Sequence, residues 1–381
     1  MLRLPTWYDE MYSMVMGNTP INGATAHVAS ALTRLSNRFN HPLPLVSERS
    51  TPYLDDRSSL RAYFSYFTAA NCLKLLHPLD ELLREGFFEK RRELSVLDIG
   101  CGPGTALIGL HTWLDETVDA LPWLELVRYR GLDPSAEALS FALGVHSFTK
   151  HLRGRPRFEF TTDQGRLATV ELRPASFDLI VMGNVLNELD ASTVDRLPRF
   201  LDEILANAGR VLVIEPALRE TSRAMLGFRD RMIGKGWAVT APCFRQGTCP
   251  ALESPRDWCH HDQRWERPSW LERLDHALGN AKLSLKYNYV ILGRLKERDT
   301  EQDSCDFRVV SAPFHEKGRV RMFLCSEGGR RLFLLNRRDS TPANADFNRL
   351  GRYDAVHIEG AEHRKNDIRI TKETVVRKLG G

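Results

Sequence analysis

Between Ser95 and Pro216 five short runs, SVLDIG, LVRYRGLD, RFEFTT, FDLIVMG and RVLVIEP, are interspersed with TALIGLHTWLDE, AEALSFALGVHSFTKHL and TVDRLPRFLDEILANA, which have helical period. This alternation limits what the chain can fold into more than any other feature. Each run is rich in apolar or β-branched residues and stops at a turn signal, the texture of a strand covered on both faces. Strands linked through helices need right-handed crossovers, so the pattern predicts a mostly parallel sheet with helices on both sides. Such sheets bind their ligands beyond the carboxyl ends of the strands, which directs attention to the residues there.

The first of those ends reads VLDIGCGPGTA and carries Gly100, Gly102 and Gly104 into a helix. Glycine lets the backbone turn sharply and approach a ligand, with amides pointing into the crevice at the helix start. No Gly-Lys-Ser/Thr follows, which excludes a P-loop, and the G-x-G-x-x-G spacing of dinucleotide folds is missing. Asp98 sits just before the glycines, where a carboxylate can accept from a bound amine. Asp133 closes the next strand in GLDPS, where it can receive two ribose hydroxyls. These residues resemble the class I S-adenosylmethionine-dependent methyltransferases. The resemblance implies that the glycine loop wraps the methionine part of the cofactor, that Asp133 holds the ribose, and that Asp163 lies near the adenine. In that family the segment after the fourth strand, here MGNVLNELD, faces the methyl group. Asn184 is therefore the candidate to orient a substrate amine or carbonyl, while Asn187 and Glu188 are expected to cap and solvate the next helix. Cys101, inside the loop, reads as a small filler.

Residues 1–93 read as helical, from ATAHVASALTRLSNRF and LRAYFSYFTAANCLKLLHPLDELL, with Ser59 a candidate cap and Cys72 on an apolar face. Arg57, Arg61, Tyr63 and Tyr66 are candidates for a lid or binding face, or simply parts of an amphipathic bundle. Residues 94–296 form the sheet domain, with YNYVILGRL a further strand. After a polar linker at 297–306, residues 307–381 alternate as strands (RVRMFLCS, RRLFLLNR, AVHIEG, IRIT) and fit a small β barrel of five strands, OB-like in kind. The expected class is thus α/β, a Rossmann-like methyltransferase sheet with an N-terminal helical segment, a cysteine-rich insertion and an OB-like C-terminal domain. That last segment holds sixteen Lys or Arg against nine Asp or Glu, although the whole chain is only +4. Such a surplus is either a solvated face or an electrostatic footprint for nucleic acid.

Cys243, Cys249 and Cys259 crowd the proline-punctuated stretch APCFRQGTCPALESPRDWCHHDQRW, residues 241–265. Seven cysteines in 381 residues, without a signal-peptide pattern or a membrane-length apolar run, point away from a disulfide framework and toward a metal in a reducing, cytoplasmic setting. Zinc ribbons favour C-x2-C knuckles, which are absent. Iron–sulfur clusters accept wider spacing. Three thiols are one short: His260 or His261 can complete the set, or a fourth thiol, Cys325 or Cys305, can arrive from elsewhere.

APC-x5-CP, DWCH-x2-QR, YNYVILGR and the strand-end LC-x2-GG together resemble the mitochondrial small-ribosomal-subunit methyltransferase-like family and its bacterial relatives, over about residues 50–381. The stretch ERPSWLERLDHALGNAKLSL departs from the relatives by lacking a charged run. The resemblance implies an S-adenosylmethionine pocket, a 4Fe-4S cluster on Cys243, Cys249, Cys259 and Cys325, and association with small-subunit ribosomal RNA. It also leaves Cys305 free and suggests that the basic tail, Arg264 and Arg267 serve one assembly. A monomer without membrane contact is expected. Two functions follow: an RNA methyltransferase working by proximity, or a non-catalytic ribosome assembly factor. A small-molecule methyltransferase with a zinc site is a weaker alternative. A radical enzyme is excluded, since the compact C-x3-C-x2-C loop is missing.

Overall fold

The structure, a computed structural model, describes residues 1–18, 25–40, 53–152, 154, 156–167, 169–294 and 305–379. Most of the polar segment 297–306 falls outside the described residues. The chain divides into two compact units, Met1–Leu218 with Gln263–Leu285, and Arg219–Asp262 with Lys286–Gly381.

The first unit begins with helices α1 (Tyr8–Val15), α2 (Thr25–Asn40) and α3 (Arg57–Tyr63). A π turn at Phe64–Thr68, α4 (Ala69–Cys72), a 3-10 turn at Leu73–Leu75 and α5 (Leu76–Arg84) continue the last of them. The cap of α3 is Asp56, whose carboxylate accepts from Ser58 N at 3.3 Å and Ser59 N at 2.9 Å. Ser59, expected as the cap, lies inside the first turn, where its hydroxyl donates to Asp56; such a cap contributes about 1 kcal/mol. Cys72 is buried, as its apolar face implies.

Five strands follow: β1 (Glu93–Ile99), β2 (Leu126–Asp133), β3 (Arg157–Gln164), β4 (Phe177–Gly183) and β5 (Leu205–Pro216). They lie parallel in the order β3-β2-β1-β4-β5. Helices α6 (Thr105–Thr117), α7 (Ala136–Thr149) and α8 (Ala191–Ile204) make the crossovers. The strand order reverses between β1 and β4, which is the topological switch point at which such sheets bind ligands. This is the class I methyltransferase arrangement. The register pairs Ile99 with both Leu132 and Met182, so the ends of β1, β2 and β4 come level. One expectation fails for β3: as the outermost strand, it alternates exposed and part-buried residues and is not covered on both faces.

The second unit opens with α9 (Arg219–Gly234) and β6 (Trp237–Ala241). Sequence periodicity does not single out α9, because Arg229 interrupts its buried stripe of Met225, Leu226, Phe228 and Met232. The cysteine loop follows, then β7 (His261–Arg264), α10 (Ser269–Ala277) in the first unit, and β8 (Ser284–Arg294), which runs antiparallel to β6.

The C-terminal segment forms β9 (Asp306–Val309), β10 (Phe314–Glu316), β11 (Arg319–Ser326), β12 (Gly329–Asn336), β13 (Ala355–Glu359), β14 (Glu362–His363), β15 (Ile368–Ile370) and β16 (Val375–Leu379). β9 pairs antiparallel with β11 and β13, and β11 with β12. β15 joins β12 in parallel, whereas β16 joins β13 antiparallel. Taken as one interrupted strand, β15 and β16 close the ring of β9, β11, β12 and β13, which is the five-stranded OB topology. β10 and β14 are short additions. Val309, Met322, Leu324, Phe333, Val356 and Ile370 fill the interior.

Candidate functional site

The first site lies at the carboxyl ends of β1, β2 and β4. Gly100, Gly102 and Gly104 all have left-handed φ, at 68°, 51° and 87°. The loop is stapled to the end of β2, since Gly100 N and Cys101 N both donate to Leu132 O, at 2.7 and 3.1 Å. Asp133 adds a second staple: one carboxylate oxygen accepts from Gly102 N and the other from Ser135 N, each at 2.9 Å. Cys101 is buried, and a Cβ on Gly131 would come within 2.9 Å of its sulfur, so it fills space as expected.

Asp98 is buried and accepts from Tyr129 Oη at 2.8 Å. Burial pushes its pKa up to about 7, opposed by the Tyr129 hydrogen bond and reinforced by the charge of Asp133. A carboxyl so placed gains from a cation brought beside it. Asp163 ends near Asp133, but its charge is spent on Arg130, whose Nη2 stands 3.0 Å from Asp163 Oδ1.

Asn184 follows β4 with φ of 60°, and its backbone N donates to Ile214 O at 2.8 Å. Its Oδ1 is buried without a hydrogen-bond partner. Tyr63, one of the lid candidates, is buried. Asn187 does not cap the next helix; its amide donates to Glu215 Oε2, and the cap of α8 is Asp190, which accepts from Thr193 N at 2.9 Å. Glu188 accepts from Tyr53 Oη at 3.4 Å.

Sequence reasoning missed Glu215. This carboxylate ends β5, is buried, takes Leu186 N at 2.8 Å and thereby fixes the segment after β4. Burial pushes it up to about 7. The signal was its place in VIEP, a charge closing an apolar strand. Of the lid candidates, Arg57 is exposed, Arg61 bonds Met16 O at 3.4 Å, and Tyr66 ties the bundle to buried Asp275. Asp275 also pairs with Arg267 at 2.6 Å, and Arg267 with Glu272 at 2.9 Å, so this arginine is a fold contact and not part of a basic face.

The second site lies within the other unit. Cys243, Cys249, Cys259 and Cys325 line one pocket of about 700 Å³ counting its open mouth, together with Arg229, Arg308, Arg330 and Tyr353. The strand-end Cys325 therefore joins the three loop cysteines. Cys305 and the histidines are not among the lining residues. Among the described residues no three His, Cys, Asp or Glu are disposed to close on a single metal ion.

Arginines hold the loop. Arg223 Nη1 donates to Ala251 O at 3.0 Å and to Ser254 O and Asp257 O, both at 2.7 Å. Buried Arg229 reaches Gly247 O at 2.7 Å, and Arg308 reaches Pro242 O at 2.7 Å. Burial, then the neighbouring Cys243 and Cys259, push Cys249 up to about 12. Cys259 rises to about 11 from burial and then Cys243, and Cys325 rises further for the same kind of reason. The four thiols cannot all ionise there without cationic compensation.

A basic spot lies on the barrel. Arg337 N donates to Gly318 O at 2.8 Å, which brings exposed Lys317 beside exposed Arg337 and Arg338. Other basic residues are spent locally, Arg369 on Asp339 at 2.7 Å and Lys378 on Asp354 at 3.0 Å. Among the described residues no helix is long and apolar enough to cross a membrane.

A family profile described as "Mitochondrial small ribosomal subunit Rsm22" matches residues 58–339. No curated protein matches the chain. Among solved structures, the chain is similar to an S-adenosylmethionine-dependent methyltransferase of Leishmania major, at 13% identity over 75% of this chain and 90% of that one, with a TM-score of 0.36. It is also similar to one of Aquifex aeolicus, at 17% identity over 45% and 85% of the two chains, TM-score 0.32. A third, from Methanosarcina mazei, gives 16% identity over 54% and 95%, TM-score 0.31. At these distances the fold assignment rests on the strand order itself.

Proposed function

Because the chain belongs to the Rsm22 family, we propose that it binds S-adenosylmethionine and a 4Fe-4S cluster and acts on or with small-subunit ribosomal RNA. The observation that carries this reading is the convergence of Cys325, from the OB-like barrel, with Cys243, Cys249 and Cys259 in one pocket. A tetrahedral zinc site holds its sulfurs within about 3.8 Å of one another, given its bond length of about 2.3 Å. A four-iron cube is several ångströms across and takes its thiolates from a wider ring, and the lack of a C-x2-C knuckle among these four thiols supports the cluster over zinc. When bound, the cluster would supply the positive charge that lets the four thiols ionise. Arg229, Arg308 and Arg330 line the same pocket, Arg229 also paired with Asp230 and Arg330 with Asp257.

In the first unit the side-chain-free turn of Gly100, Gly102 and Gly104, whose amides are already spent within the protein, is suited to a close approach of the methionine part, Asp133 to the ribose through the lone pairs its two backbone contacts leave, and the raised carboxyl of Asp98 to the cofactor's ammonium. S-adenosylmethionine supplies an electrophilic methyl group. The chain's part is to hold the acceptor in line with it: Asn184 Oδ1, buried and lacking a partner, is the group free to accept from a substrate N–H or O–H.

Anaerobic purification tests the cluster: about four irons with matching sulfide per chain is expected, and zinc in their place overturns it. Methylation of small-subunit RNA, compared between a deletion strain and one carrying Asp98→Ala, tests the enzyme. Unchanged modification in both leaves the assembly-factor reading.

A further inference from the structure

The turn Gly351–Asp354 breaks a sequence rule. Asp354 N donates to Gly351 O at 3.2 Å, which makes Tyr353 the third residue of a β-turn, and its φ is 71°. Glycine or asparagine is the usual occupant of a left-handed position of that kind; a bulky aromatic is an outlier. The surroundings hold the outlier in place. Tyr353 N donates to Val309 O at 2.7 Å, Tyr353 O accepts from Arg308 Nη1 at 2.8 Å, and Gly351 N donates to Asp354 Oδ2 at 2.7 Å. The ring, buried, lies between His261 at 4.9 Å and Tyr289 at 5.8 Å. Its hydroxyl ends 3.3 Å from Cys259 Sγ.

Strain that is over-determined by neighbours and delivers a polar atom to a site is a pointer to function. Packing alone would be served by Phe. The added oxygen meets a sulfur, and if that sulfur is an iron-bound thiolate, only the phenol can donate.

We infer that Tyr353 is a positioning residue of the cysteine site: its hydroxyl hydrogen-bonds to the Cys259 thiolate and raises the reduction potential of the cluster bound there. This rests on the cluster reading above. A hydrogen bond to a ligand sulfur stabilises the more negative, reduced cluster more than the oxidised one, and so favours uptake of one electron. The strained turn keeps the donor aimed at Cys259 in both states.

The test uses the full chain with its cluster. Wild type and Tyr353→Phe are assayed for iron and sulfide, then titrated anaerobically with dithionite while the visible absorbance is followed. The expected result is equal iron and a midpoint shifted downward in the Phe variant, by about tenfold in the oxidised-to-reduced ratio, or about 59 mV for one electron. A second variant carries 3,5-difluorotyrosine at position 353. It is close to the native shape and a stronger donor, and it should shift the midpoint upward; it decides the matter alone if the Phe variant loses its iron. Cluster-loaded variants with the wild-type midpoint overturn the inference and leave the cluster reading intact. Wild-type protein without iron and sulfide overturns the cluster reading and this inference with it.

Discussion

Gly100 stands so close to Val185 that a Cβ on it would lie 2.3 Å from Val185 Cγ2. The glycine loop after β1 and the segment after β4 are therefore in contact, and both faces of the proposed methyl-donor pocket depend on one missing side chain. Gly100→Ala must displace Val185 and also hold alanine at φ 68°. A loss of about 2–4 kcal/mol is expected, with S-adenosylmethionine binding weakened at least about tenfold. Adding Val185→Ala should relieve the clash and leave the backbone strain, about 1 kcal/mol. Urea unfolding and calorimetric titration of both variants check this; wild-type stability in the single variant would contradict the geometry.

Asp98 and Glu215 give the protein a pH dependence of defined sign. Both are held near 7 when folded, against ordinary values of 3.8 and 4.5. Between about pH 4 and 7 the native state therefore binds more protons than the unfolded chain, and stability falls as pH rises through that window. Below it both states are protonated and the groups contribute nothing. Asp98→Asn, whose amide oxygen can still accept from Tyr129 Oη, should flatten the fall and stabilise the ligand-free protein at pH 8, by an amount on the order of a few kcal/mol. S-adenosylmethionine affinity should move the other way, rising about tenfold from pH 5.5 to 8 in wild type and not in Asp98→Asn. Urea midpoints at pH 5 and 8, with and without ligand, separate the two effects.

The parallel sheet was legible because strands covered on two faces write themselves as apolar runs, and LVRYRGLD and FDLIVMG coincide with β2 and β4. The edge strand β3 looks doubly buried in sequence, since Phe158 and Phe160 are apolar whichever face they take. Glu215 escaped notice because a carboxylate closing a strand looks the same whether it faces solvent or, as here, holds Leu186 N. Arg229 hid α9 by placing a buried charge on the apolar stripe. Tyr353 could not be found from sequence, for nothing in GRYD announces a left-handed tyrosine. Side chains whose partners are distant carbonyls or sulfurs leave no periodic trace.

The cysteine loop owes its shape to arginines as well as to any bound group. Arg223 Nη1 shares its two hydrogens among three carbonyls of the segment 251–257. Arg223→Ala strands those acceptors and should cost about 2 kcal/mol. It should also speed amide exchange across residues 250–258 and lower iron retention, while leaving S-adenosylmethionine binding unchanged, because the glycine loop belongs to the other unit. Hydrogen-exchange mass spectrometry with and without iron reads the loop directly. Unaltered protection of that segment would show that the arginine is dispensable.

The basic spot offers a test of the RNA reading that does not require a known acceptor base. Lys317, Arg337 and Arg338 are exposed together on the barrel, and each phosphate they neutralise releases counterions from the nucleic acid. Arg337→Ala with Arg338→Ala removes two such contacts. The slope of log affinity against log salt for small-subunit RNA should then shrink by about 1.5, with affinity falling several-fold at low salt and little at high salt. Lys378→Ala is the control, since that charge is already spent on Asp354 at 3.0 Å, and its slope should stay near that of wild type. Filter binding across a salt series distinguishes the outcomes. Equal slopes for all three proteins would mean that this face of the barrel does not carry the phosphate contacts, and the footprint would have to be sought among the other exposed cations, such as Arg331, Lys365 and Lys372.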